Sequence, residues 1–328
     1  MTPTENPPAI TAPSISGQPE VVTTQGEPPR GKGFVLPAQF LLLSAIWGSS
    51  FLFIKVGDAA FAPVLVSFGR MVFGSVTLLI IIALRRDRLP RGRAVWRHLI
   101  IASLLANVLP YTLFAYGETH VTSIVAGIWN ATTPLLTLLV VLLTLAEERP
   151  SRERLAGLTI GFAGVLFVLG VWHGIGSQEL VGNLACFAAA ACYGLALPYV
   201  RRNLAGRSES TISLSAAQLL CGTGWLALAL PFLGAQPHAW PVASILSIGA
   251  LGALGTGIAY MLNYELLRKM GATTASMVTY IIPIFSTLIG VVILHEPLAW
   301  NQPVGALIVI TGIAVSQGRI RLPISRSR

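Results

Sequence analysis

Apolar runs of roughly 20 residues recur along the chain, separated by short polar stretches that hold nearly all of its charge. As an α-helix, a run of that length crosses a hydrocarbon core of about 30 Å. The pattern predicts ten membrane helices, at 35–55, 62–84, 97–117, 121–145, 155–172, 180–200, 211–233, 242–264, 272–294 and 304–317. The connections between them are too short to hold a soluble domain. The segment "FAPVLVSFGRMVFGSVTLLIIIAL", residues 61–84, breaks the pattern, because Arg70 stands near its middle.

Composition fixes the class. Of 328 residues, 54% are hydrophobic and 11% charged, and the mean hydropathy is +0.71. A soluble chain needs more charge than this for its surface, so the sequence reads as an all-α polytopic membrane protein. Residues 1–33 differ in kind. The stretch "MTPTENPPAITAPSISGQPEVVTTQGEPPR" has seven prolines and no apolar run, which predicts a disordered tail. It lacks the apolar core of a signal peptide, so the first membrane helix is expected to serve as an uncleaved targeting signal.

The net charge of +9 invites a nucleic-acid reading, which the distribution of charge rejects. Apart from Lys55 and Arg70, every Lys and Arg lies in one set of alternating connections and the two tails. Positive charge held on one side is how membrane topology is directed, and it places both termini in the cytoplasm of a cell whose cytoplasmic (inner) membrane the protein crosses. Ten crossings, an even number, demand the same. Cys186, Cys192 and Cys221 fall inside apolar runs and show no CxxC spacing, so they read as small hydrophobes.

The two halves resemble each other. A shift of 149 superposes Tyr111 on Tyr260, Leu113 on Leu262, Ala126 on Ala275, Pro134 on Pro283, Leu139 on Leu288 and Glu147 on Glu296. A shift of 146 brings Trp47-Gly48 onto Tyr193-Gly194 and Lys55 onto Arg201. Five helices per copy is an odd number, so the second copy enters the membrane from the opposite side. Inverted repeats are a recurrent architecture of secondary transporters, with substrate held near the midplane between the copies.

The segments "LLLSAIWGSSFLFIKVG", "VLVSFGRMVFGSVTLL" and "TSIVAGIWNATTPLLTLLVVLLTLAEE" resemble the first, second and fourth helices of the EamA family, in the drug/metabolite transporter superfamily. In the second half "ATTASMVTYIIPIFSTLIGVVILHEPL" and "GALIVITGIAVS" are similar to it as well. The resemblance implies two inverted five-helix repeats, 34–172 and 173–318, around a central cavity, followed by a basic cytoplasmic tail at 319–328. It also implies export of amino acids or similar small metabolites. Sugars, nucleotide sugars and drugs are the alternative cargo of the same superfamily.

Periodicity suggests a lining independently. Asn107, Tyr111 and Phe114 share one helix face, and Thr256, Tyr260 and Asn263 repeat it. Asn130, Thr133, Pro134 and Thr137 form a second polar face, which Thr279, Pro283 and Ser286 echo. Trp47 and Tyr193 are expected to supply cavity aromatics, and Trp129 joins the same set. Polar faces on apolar helices turn away from lipid. The competing reading is that such side chains merely hydrogen-bond between packed helices. Pro110, Pro134, Pro198 and Pro283 interrupt spans, either as hinges or as packing features.

No HExxH, GxSxG, GxxxxGK[ST] or CxxC occurs, and the five histidines lie in connections or at span ends. No catalytic residue, metal site or cofactor is therefore expected. A membrane-embedded enzyme, the rival class, would need a nucleophile and base or a metal set at membrane depth; a channel or receptor is a further alternative. The expected partners are a small-molecule substrate and the surrounding lipid, with monomer and homodimer both open. Glu118, Glu147, Glu265 and Glu296 stand near span ends, so the sequence offers no acid within a span to couple transport to protons. Arg70 is expected near mid-depth. Its candidate partners are carbonyls freed near Pro110 or Pro134, Asn107 or Asn130, water, or an anionic group of the substrate.

Overall fold

The structure, a computed structural model, describes residues 35–144, 152–170, 172, 176–204, 207–233, 236–263, 265, 266 and 278–320. Both tails and Glu147 lie outside the described residues, apart from Arg319 and Ile320. Within the described residues a helix lies in each interval that the apolar pattern marked: α1 Val35–Asp58, α2 Pro63–Arg85, α3 Arg93–Glu118, α4 Ser123–Leu143 and α5 Arg152–Leu169. They continue as α6 Ser177–Asn203, α7 Thr211–Leu233, α8 Val242–Asn263, α9 Val278–Val292 and α10 Asn301–Ser316. Among the described residues, seven are long and apolar enough to cross a membrane, namely α1 to α4 and α6 to α8. Helices α9 and α10 are apolar but shorter, and α5 carries Arg152, Glu153 and Arg154 in its first turn.

Large apolar side chains face outward along these helices, among them Leu84, Leu228, Phe232 and Leu307. Such a surface suits acyl chains and would aggregate in water. Inside the bundle α2 packs on α7, α5 on α10, α3 and α4 on α6, and α1 on α8 and α9. Two close approaches shape the centre. A Cβ on Gly48 of α1 would lie 2.4 Å from Phe285 Cβ of α9, and one on Gly194 of α6 would lie 3.1 Å from Leu136 of α4. Small residues let helix backbones meet where lipid supplies no hydrophobic drive.

The polar gaps in the helices are managed locally. Helix α3 has a π-helical segment at Leu104–Val108, immediately before Leu109-Pro110, and α8 has one at Ala253–Ile258. The two segments begin 149 residues apart, the repeat offset. Helix α4 breaks at Thr132 ahead of Pro134, whose ring leaves the Asn130 carbonyl without its amide partner. The Thr133 hydroxyl donates to that carbonyl at 2.8 Å, and Thr132 Oγ1 donates to Trp129 O at 2.7 Å. The side chains of α4 thus answer the proline themselves.

Candidate functional site

A cavity of about 410 Å³ lies between the helices, a size suited to a small organic ligand. Ten side chains singled out from the sequence line it: Trp47, Arg70, Tyr111, Phe114, Asn130, Thr133, Tyr193, Tyr260, Asn263 and Thr279. They come from α1, α2, α3, α4, α6, α8 and α9. The lining runs on through Leu197 and Val200 near the end of α6 and Thr211 at the start of α7. Leu197 and Thr211 are exposed, so the cavity reaches the surface at the arginine-rich end of the bundle. At the other end Phe51, Ile54, Phe114 and Ile282 wall it off.

Among the described residues Arg70 is the one charged side chain in this lining, and it is only 9% exposed. Its guanidinium carbon sits 3.7 Å from the centroid of the Tyr111 ring, a cation–π contact. Its Nε donates to Thr256 Oγ1 at 3.0 Å. Among the described residues its two terminal nitrogens make no hydrogen bond, and neither is a fully buried atom, so both are presented to the cavity. Of the candidate partners the sequence left open, neither the carbonyls near Pro110 and Pro134 nor Asn107 and Asn130 hold it. Thr256 does so, from within the π-helical segment of α8.

Tyr111 belongs to a polar cluster at the centre. Its hydroxyl lies 3.1 Å from that of Tyr260, and Asn107 Nδ2 donates to both, at 3.0 Å and 3.3 Å. Gln218 Nε2 donates in turn to Asn107 Oδ1 at 2.6 Å. Every member has a partner, so the cluster rigidifies the floor of the cavity rather than leaving polar atoms stranded.

Other residues singled out from the sequence stand elsewhere, Trp129, Ser286 and Asn107 among them. Trp129 turns to α6, where its indole Nε1 donates to Asn183 Oδ1 at 2.8 Å and its ring meets Phe187 edge-on. Ser286 is buried against Gly127 and donates to Pro283 O at 3.2 Å. Asn107 is wholly buried behind Tyr111 and Tyr260. All three sit in contacts within the packed helices, outside the cavity lining. The sequence reading also missed a stripe: Thr211, Ser215 and Gln218 of α7 line the cavity at i, i+4 and i+7. That spacing is legible as one polar face of an apolar helix.

Comparison with known proteins adds the lineage. The EamA-like transporter family matches residues 37–170 and again 180–317. An uncharacterized transporter of Bacillus subtilis (strain 168), YoaV, is 28% identical over 273 residues, covering 83% of this chain and 92% of its own. The uncharacterized inner membrane transporter YedA of Escherichia coli (strain K12) is 25% identical over 290 residues, covering 86% of this chain and 90% of its own. A solved structure, described only as a crystal structure of a protein, superposes with a TM-score of 0.62 at 22% identity, over 88% of this chain and 98% of that one. It shares the fold.

Proposed function

The chain belongs to the EamA-like transporter family, and on that premise we propose that it is a secondary transporter exporting amino acids or similar small metabolites by alternating access. The observation that carries the substrate class is Arg70. A guanidinium fixed by Thr256 and Tyr111 and presenting two nitrogens to an otherwise uncharged cavity matches a carboxylate in fork geometry. Aromatic walls from Trp47, Phe114 and Tyr193 suit the apolar part of such a metabolite.

The architecture we propose is ten crossings in two inverted repeats, 34–172 and 173–318, with both termini cytoplasmic. Support comes from residues that meet their own counterparts. Tyr111 pairs with Tyr260, 149 residues on, and Ser75 lies 3.3 Å from Thr223, 148 residues on. Two equivalent residues touch only at the axis that relates the copies. The bonds Arg70 to Thr256 and Gln218 to Asn107 are likewise equivalent under that operation. The cavity then lies on the axis, as a site between inverted repeats requires, and opens to the cytoplasm.

Two measurements test this reading. A tag in the 173–179 connection should react in intact cells, and one in the 203–209 connection only after the membrane is opened. Identical labelling of both removes the inverted repeat. Purified protein in liposomes should carry at least one carboxylate-bearing solute from a labelled metabolite panel faster than protein-free liposomes. Flux restricted to sugars or nucleotide sugars would transfer the assignment to that class. No flux together with hydrolytic or transferase turnover would overturn it in favour of an enzyme.

A further inference from the structure

The closed end of the bundle is tied by two charged side chains. Lys55 of α1 donates from Nζ to the backbone oxygens of Glu118 and Val121, at 2.5 Å and 3.0 Å, where α3 ends. Glu296, between α9 and α10, accepts from Ser123 N at 2.9 Å, Ser123 Oγ at 2.8 Å and Ile124 N at 3.3 Å, where α4 begins. An ammonium at a helix C-terminus and a carboxylate at a helix N-terminus each complement the local dipole. Together they join α1, the α3–α4 corner and the α9–α10 connection one turn beyond Ile54 and Phe114, the end wall of the cavity.

Two acids inside this closure have no such role. Glu118 is 0% exposed and neither of its carboxyl oxygens has a hydrogen-bond partner. Asp58, one turn past Lys55 on α1, has both oxygens buried and unpartnered too. Lys55 gives its hydrogen bonds to carbonyls, and Glu296 takes the Ser123 and Ile124 amides and the Ser123 hydroxyl, while the Val125 amide goes to Thr122 Oγ1. The charged groups that act on Glu118 are Asp58 and Lys55 from α1, Glu296, and Arg70 from α2. Helix α6 faces it with the buried thiol of Cys186, which packs on Gly117. His120 turns away to Thr119 and Tyr116. Lys55 balances one acid, and the helix dipole with its three donors satisfies Glu296. One carboxyl is left over, and of the two Glu118 is the one wholly buried; with no hydrogen-bond donor and an ammonium shared with a second acid, it takes up a proton instead.

On the transporter reading above, we propose that Glu118 is a proton-binding site of the outer gate: it takes up a proton from outside as that end closes and gives it back when the end opens. The ligand is a proton rather than a metal ion, because the Lys55 ammonium already fills the carbonyl pair a cation would use. The device is one-sided. The repeat offsets of 146 and 149 put Leu204 in the place of Asp58 and Leu267 in that of Glu118, so neither acid recurs at its equivalent position. Low external pH therefore holds the protein closed to the outside.

The test reads the gate without any substrate. Spin labels at Ala59→Cys, exposed just past the end of α1, and at Leu298→Cys, exposed on the α9–α10 connection, report its opening once the three native cysteines are replaced. In liposomes the short distance should dominate at about pH 5, and the open-to-closed ratio should rise by up to about tenfold per pH unit, the limit for one proton. Glu118→Gln, isosteric with the protonated acid, should fold and keep the short distance at every pH. A wild-type distance indifferent to pH overturns the proposal, as does a Glu118→Gln protein that keeps the pH response or fails to fold. Absence of flux in the metabolite screen would sink the transporter reading while leaving this measurement intact. Normal flux with a pH-blind gate would sink only the proton site.

Discussion

Replacing Arg70 by Gln should leave a folded, membrane-inserted protein that has lost most of its transport of carboxylate-bearing solutes. Insertion is not the obstacle, since an arginine at the middle of a membrane helix costs about 2.5–3.5 kcal/mol on insertion scales and an amide costs less. The second repeat already holds Gln218 at the equivalent place, where it donates to Asn107 at 2.6 Å. A glutamine at position 70 has Thr256 waiting in the same relation. What disappears is the charge. Hydrogen bonds to a charged group are worth about 1.5–3 kcal/mol, which predicts a loss of roughly tenfold to more than a hundredfold in transport efficiency. Arg70→Lys keeps the charge but loses the fork and the planar stack on Tyr111, so it should retain part of the rate. Uptake into liposomes, normalised to folded protein by size-exclusion chromatography, decides the matter. Normal carboxylate transport by Arg70→Gln would remove Arg70 from the site. A misfolded variant would make it structural.

The second large effect is expected at the α5–α10 contact. A Cβ on Gly312 would stand 2.4 Å from Gly161 N, 2.6 Å from Gly161 Cα and 2.7 Å from Gly157 O. All three are backbone atoms, so no side chain can turn aside to make room. At its other end the contact is fixed by Asn301, which donates to the carbonyls of Val168 and Phe167 at 2.8 Å and 3.3 Å. Gly312→Val must therefore push the helices apart or tilt them about a pinned end. Overpacking of this sort costs about 1–3 kcal/mol and occasionally more. The variant should show a lower apparent Tm and a reduced monodisperse peak after heating. Gly224→Ala, where an added Cβ meets nothing within 4 Å, is the matched control and should be neutral or slightly stabilising. Equal losses from both substitutions would mean that the tight contact is not what α5 and α10 depend on.

Much of this molecule is written in the chain, for a physical reason specific to membranes. Lipid is a uniform apolar solvent, so a helix must turn every polar side chain that cannot reach the interface toward protein. The faces carrying Tyr111, Asn130, Thr133, Tyr260 and Thr279 could therefore be read from spacing alone, and all five line the cavity. The same logic gave the helix positions and the repeat offset, which returns as the 149-residue separation of Tyr111 and Tyr260. Periodicity assigns a face but does not name the neighbour opposite it. Trp129 lies on a helix that contributes to the cavity, yet it answers Asn183 of α6, 54 residues away. Arg70 found its partner 186 residues on, at Thr256 in the π-helical segment of α8. Nor does position along a span measure burial. Glu118 ends α3, where a sequence expects water, but Lys55 and the α9–α10 connection fold over that end and exclude it. The local code decided which residues leave the lipid. Only packing between segments far apart in the chain decided what each of them meets, because those contacts depend on where whole helices cross.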